Sequence, residues 1–157
     1  MGRSKLVAAF IAVIGFSTGA QSTAPLSYTA RTISGADVLI GAGQAPIIVA
    51  VFATWCTTCR YEFGVLDSLQ AVLGPRGIRV LALSVDDSDD AHVRRFIEAR
   101  KAKVIVARDA SGAVGKTFGT VGVPETYLVD SRGVVRWRGR GELRAAIPEL
   151  RKAIGAL

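Results

Sequence analysis

Phe52-Ala53-Thr54-Trp55-Cys56-Thr57-Thr58-Cys59-Arg60-Tyr61-Glu62 contains both cysteines of the 157-residue chain and sets them three positions apart. Just upstream, Ile47-Ile48-Val49-Ala50-Val51-Phe52-Ala53 is an unbroken apolar, β-branched run, the pattern of a central strand covered on both faces. Downstream, Phe63, Leu66, Leu69 and Val72 or Leu73 recur at helical spacing until Gly74-Pro75 ends the segment. The two thiols therefore fall where a strand passes into an amphipathic helix, with Cys56 predicted in its first turn. Unpaired backbone N–H groups there favour thiolate and lower an ordinary cysteine pKa of about 8.5 by one to several units. Cys56 reads as an exposed nucleophile. Cys59, one turn further on and more buried, reads as the thiol that resolves a mixed disulfide.

Two other uses of a cysteine pair fit the spacing poorly. A bridge across two intervening residues removes little entropy from the unfolded chain, far less than the roughly 3 kcal/mol of a 15-residue loop. Zinc wants four ligands, and the chain offers two cysteines and one distant histidine, His92. No metal and no cofactor are expected.

The strand–helix alternation continues along the chain. Ile78 to Val85 reads as a second buried strand, Asp86-Asp87-Ser88-Asp89-Asp90 as an acidic capping cluster, and Ala91 to Arg100 as a helix. Val104 to Ala107 follows as a strand, Ala113 to Phe118 as a short helix, and Thr126–Val129 with Val134–Trp137 as an antiparallel hairpin around Ser131-Arg132-Gly133. Leu143 to Ile154 is the last helix, bent or delayed by Pro148. Leu26 to Ile40 reads as an irregular opening strand or hairpin. Strands alternating with helices imply right-handed parallel crossovers, hence an α/β domain.

Residues 1–20 stand apart. Arg3 and Lys5 precede the apolar run Leu6 to Phe16, and Ser17-Thr18-Gly19-Ala20 supplies small residues. This is the pattern of a secretory signal, cleaved or kept as an anchor, followed by one domain over 21–157. The net charge is +7, and without residues 1–20 it is +5. The positive residues are scattered, with neither a glycine-rich phosphate loop nor an aromatic ladder, so nucleic acid is not an expected partner. His92 reads as a surface helix residue, and Arg136, Arg138 and Arg140 as solubility charges first and a partner patch second.

The run Phe52 to Glu62, the strand ending Ser84-Val85-Asp86-Asp87, and Gly122-Val123-Pro124-Glu125-Thr126-Tyr127-Leu128-Val129-Asp130 together resemble the secreted TlpA/ResA/DsbE-type thiol-disulfide oxidoreductases over about residues 26 to 157. The resemblance implies a thioredoxin-like fold: a central mixed sheet flanked by helices, with an extra strand and helix inserted in the middle. It implies that the Val123-Pro124 bond is cis, with Val123 offering backbone hydrogen bonds to an extended substrate peptide. It also places at Glu62 an acid that tunes the thiols or exchanges protons with them. The residues themselves leave Glu62 open as an exposed charge beside Arg60, and Trp55 open as either a docking surface or a core indole. Glu125 reads equally as a group that steers a basic partner or as a strand cap. Ala50 stands where thioredoxins carry a buried aspartate, so their proton relay does not transfer directly.

By this resemblance the chain is a periplasmic or otherwise extracytoplasmic monomer that reduces disulfides of protein substrates, as in cytochrome c maturation or copper-site assembly. Its electrons would come from a membrane dithiol donor of the DsbD/CcdA kind. A disulfide-donating oxidase and a non-catalytic copper- or haem-related binding module are the alternatives.

Overall fold

A computed structural model describes residues 25–157, so the secretory-signal reading of residues 1–20 lies outside the described residues. The chain opens with a hairpin, β1 (Ser27–Thr32) and β2 (Asp37–Gly41), and continues into β3 (Ile47–Phe52). The dithiol segment follows, passing through a 3-10 turn (Cys59–Tyr61) into α1 (Phe63–Leu73). Then come β4 (Arg79–Ser84), α2 (Asp90–Glu98), β5 (Ile105–Arg108), α3 (Val114–Phe118), β6 (Glu125–Val129) and β7 (Val135–Arg140). A second 3-10 turn (Leu143–Ala146) leads into α4 (Ile147–Gly155). Pro148 sits in the first turn of α4, where its missing N–H costs nothing, so it delays the last helix rather than bending it. No helix among the described residues is long and apolar enough to cross a membrane.

The seven strands form one mixed sheet in the order β2-β1-β5-β4-β3-β6-β7. The central strands β3, β4 and β5 are parallel, and the flanking pairs are antiparallel. The α2–β5 crossover lays β5 between β4 and β1, and is the extra strand and helix expected in the middle. All six residues of β3 are buried, because both of its faces are covered. Ile48, Ala50 and Phe52 join a core with Phe63 and Leu66 of α1, Val93 and Ile97 of α2, and Leu150 and Ile154 of α4. Ile47, Val49 and Val51 point the other way, into a second core with Tyr28, Ile40, Val114 and Phe118. Leu26 and the end of β2 close over the β6–β7 turn: the Leu26 N–H donates to the Gly133 carbonyl at 2.7 Å, and Ala42 bridges Arg132.

That closure fixes a glycine. Gly133 has φ +79°, and a Cβ there would lie 2.8 Å from the Ala42 nitrogen and 3.0 Å from the Leu26 carbonyl oxygen. Gly77 has nearly the same φ, +77°, but open space around it. Gly77→Ala should therefore cost only the left-handed backbone penalty of about 1–2 kcal/mol. Gly133→Ala should cost clearly more, because backbone must also move; urea unfolding of the two variants measures the difference, and equal costs would show that the closure is loose.

Candidate active site

β3 and β6 run antiparallel with Val51 opposite Glu125, so the residues after β3 and those before β6 emerge at the same edge of the sheet. Thr54-Trp55-Cys56 is therefore carried to the same edge as Val123-Pro124. The sulfurs of Cys56 and Cys59 are bonded, 2.17 Å apart. Cys59 is 0% exposed and Cys56 8%, so both residues are buried and only Cys56 touches the surface. Cys56 is less exposed than the sequence suggested, because both sulfurs pack into the core that Val123 also covers.

Helical structure begins later than the apolar spacing predicts. The regular helix starts at Phe63, and Cys56 precedes even the 3-10 turn. The Cys56 N–H closes a turn onto the Ala53 carbonyl at 3.1 Å, and Cys56 Sγ accepts the N–H of Cys59 at 3.2 Å. This is the bond an N-cap side chain makes to the third residue after it, so the sulfur is stabilised by one specific amide rather than by a place inside the first turn. Side-chain spacing cannot separate a 3-10 start from an α start, because both return to the same face after three residues.

Trp55 is 70% exposed, which rules out the core-indole reading and leaves its ring on the surface beside Cys56. The Val123–Pro124 bond is cis, and both residues are half-buried. Glu62 is not the exposed charge its neighbour Arg60 suggested. It is buried, and its Oε2 accepts the N–H of Leu143 at 3.0 Å, tying the dithiol turn to the segment that starts the C-terminal helix. Burial pushes its pKa up, against the Leu143 N–H; Glu142 adds to the rise and Arg144 opposes it.

Glu125, the first residue of β6, is an internal anchor rather than a guide for a partner or a strand cap. Its oxygens accept from Arg138 Nη2 and Arg140 Nε, each at 3.1 Å, and from the Tyr127 hydroxyl. Burial alone would raise its pKa, but the bonds from Tyr127 and Arg138 prevail and hold the carboxylate below its ordinary range. Arg136 likewise pairs with Asp130 at 2.6 Å. The three alternating arginines are thus structural partners before they are solubility charges.

The acidic cluster after β4 divides in two. Asp89 caps α2, accepting the His92 N–H at 2.8 Å. Asp86 turns inward: its carboxylate accepts the Thr54 N–H at 3.0 and 3.1 Å, the Thr54 hydroxyl at 2.6 Å and the Ser84 hydroxyl at 2.6 Å. His92 lies on the exposed side of α2, as read, and its Nε2 is 3.0 Å from the Thr54 hydroxyl oxygen. Sequence reasoning missed both Asp86 and the Leu143 contact. The available signal for Asp86 was a polar Thr54 inside an otherwise apolar strand exit.

A family model described as the AhpC/TSA family matches residues 20–138. Among curated proteins, the thiol:disulfide interchange protein DsbE of Escherichia coli (strain K12) is 34% identical over 104 residues, 66% of this chain and 54% of that protein. DsbE of Yersinia pestis is 38% identical over 98 residues, 62% and 50% respectively. The chain spans about half the length of the curated relatives it matches. Among solved structures, StoA from Bacillus subtilis superposes with a TM-score of 0.70 at 21% identity, over 84% of this chain and 98% of that one. A thioredoxin-like protein from Aeropyrum pernix does so at 0.67 and 21%, over 83% and 89%. The fold is thioredoxin-like.

The raised pKa of Glu62 has a thermodynamic consequence. An unfolded glutamate titrates near about 4.3. Just above that pH the folded protein keeps a proton the unfolded chain has lost, so stability falls as pH rises through the window up to the folded value. In urea unfolding of the disulfide form between pH 4 and 8, Glu62→Gln should lack this fall, so that its stability gains steadily on wild type before levelling. A difference independent of pH would mean an unshifted carboxyl.

Proposed function

The chain belongs to the AhpC/TSA family, and from that premise we propose that it is an extracytoplasmic thiol-disulfide oxidoreductase that reduces disulfides in protein substrates. The observation that carries the proposal is the bonded, asymmetric Cys56–Cys59 pair at the sheet edge, Cys59 fully buried and Cys56 8% exposed. The DsbE relatives, named for thiol:disulfide interchange, support the same chemistry.

In the working cycle the dithiol is the reactant. The Cys56 thiolate attacks one sulfur of the substrate disulfide; a Cys56–substrate bond forms, the substrate bond breaks, and the first substrate thiolate leaves. Cys59 then loses its proton and attacks Cys56 Sγ, restoring the internal disulfide and releasing the second substrate thiolate. Two electrons have passed to the substrate. Glu62, buried directly after the turn that holds Cys59 and raised in pKa, is the group we assign to take the Cys59 proton. Trp55 and the backbone of Val123, with Pro124, are assigned to hold the substrate segment.

A membrane dithiol donor of the DsbD/CcdA kind would return the electrons. The pattern of residues 1–20 favours an extracytoplasmic site, where such a donor is needed to keep thiols reduced. Cytochrome c maturation and copper-site assembly are the substrate settings that best suit this direction of exchange.

Equilibration with glutathione should give a potential well below about −180 mV, whereas a value near −120 mV would identify a disulfide donor instead. In the native host, Cys59→Ala should accumulate mixed disulfides through Cys56, and adding Cys56→Ala should abolish them. An empty trap would count against exchange on proteins.

A further inference from the structure

Trp55 is 70% exposed beside the dithiol, as is Tyr61, and among the described residues no side-chain hydrogen bond holds the Trp55 indole. Its orientation is therefore set by the backbone of the Thr54–Trp55 turn. That turn is fastened mainly through Thr54. The Thr54 N–H donates to both carboxylate oxygens of Asp86, and the Thr54 hydroxyl donates to Asp86 Oδ1 at 2.6 Å. Since that hydroxyl proton is committed to Asp86, the Thr54 oxygen is free to accept, and His92 Nε2–H is the donor at 3.0 Å.

Asp86 is itself fixed. Its N–H donates to the Ser84 hydroxyl oxygen at 3.1 Å while the Ser84 hydroxyl donates back to its carboxylate, a closed ring at the end of β4. Asp86 is 4% exposed, so its end of the bonds to Thr54 is largely removed from water. The chain of contacts runs from the end of β4 through Asp86 to Thr54, and through His92 to the exposed side of α2.

We propose that Asp86 is a positioning residue for substrate exchange, holding the Thr54–Trp55 turn so that the indole and the Cys56 sulfur present one docking surface to an incoming polypeptide. Its kinetic consequence rests on the exchange reading above. A small disulfide needs only the sulfur and feels little of this positioning, whereas a protein substrate must meet sulfur and indole together.

The test compares kcat/KM of the reduced protein toward insulin and toward oxidised glutathione. Asp86→Asn, which keeps the volume and removes the charge, should lose about tenfold on insulin, the size of one hydrogen bond to a charged group, and much less on glutathione. Thr54→Val, which keeps the N–H and removes the hydroxyl, should lose less than Asp86→Asn, and Thr54→Ser should restore the wild-type ratio. Equal losses on both oxidants, or Thr54→Ser behaving as Thr54→Val, would overturn the proposal.

Should the wild-type dithiol exchange with neither oxidant, it is the enzymatic reading that fails, and the turn can be read without turnover. In a Trp137→Phe background Trp55 is the one remaining indole. Asp86→Asn should then lower Trp55 fluorescence anisotropy, and Thr54→Val should do so by less. Unchanged anisotropy in both would overturn the positioning role whatever the activity.

Discussion

The antiparallel register of β3 against β6 is the constraint on which the site depends. Because Val51 faces Glu125, the chain leaves β3 and enters β6 at one edge, and the dithiol turn and Val123–Pro124 share that edge although 67 residues separate Cys56 from Val123. A two-residue slip of that pairing would carry the loop before β6 about 7 Å along the sheet. A one-residue slip would turn Tyr127, Leu128 and Val129 each onto the wrong face. Two separate cores oppose the one-residue slip, since alternate residues of β3 are committed to opposite sides.

Three buried carboxylates then fasten the loops at that edge, each through at least one contact that reaches another element. Glu62 holds the start of the C-terminal segment at Leu143, Asp86 holds Thr54, and Glu125 gathers Arg138, Arg140 and Tyr127. Their electrostatics differ for a simple reason. Glu125 faces two guanidinium groups and a phenol, so its charged form is favoured despite burial. Glu62 has one backbone N–H and the neighbouring charges of Glu142 and Arg144 working against each other, so desolvation decides and its pKa is raised. A carboxyl raised in pKa and one held below its ordinary range thus arise from the same residue type through the number of cationic partners.

Much of this was legible in the chain and some was not, for identifiable reasons. β3 announced itself as an all-apolar run because both of its faces are covered, and the α2–β5 insertion because strand and helix periods alternate cleanly there. The start of α1 was not legible, since a 3-10 turn and an α-helix return a side chain to the same face after three residues. The inward turn of Asp86 was hidden inside a run of four aspartates and a serine, where residue type alone gives every member the same capping preference. The roles of Arg138 and Arg140 depended on Glu125 being buried opposite them across the β6–β7 pair. That is a property of register and not of composition.

The internal pairing of those arginines also changes what the basic charge means. Arg136, Arg138 and Arg140 look from the sequence like a cationic stripe on one face, yet Arg136 pairs with Asp130 while Arg138 and Arg140 share Glu125, so two carboxylates offset part of the charge of three arginines. The dithiol edge itself presents an exposed indole, a slightly exposed Cys56 and the half-buried Val123 and Pro124, and the acids that fasten it are buried.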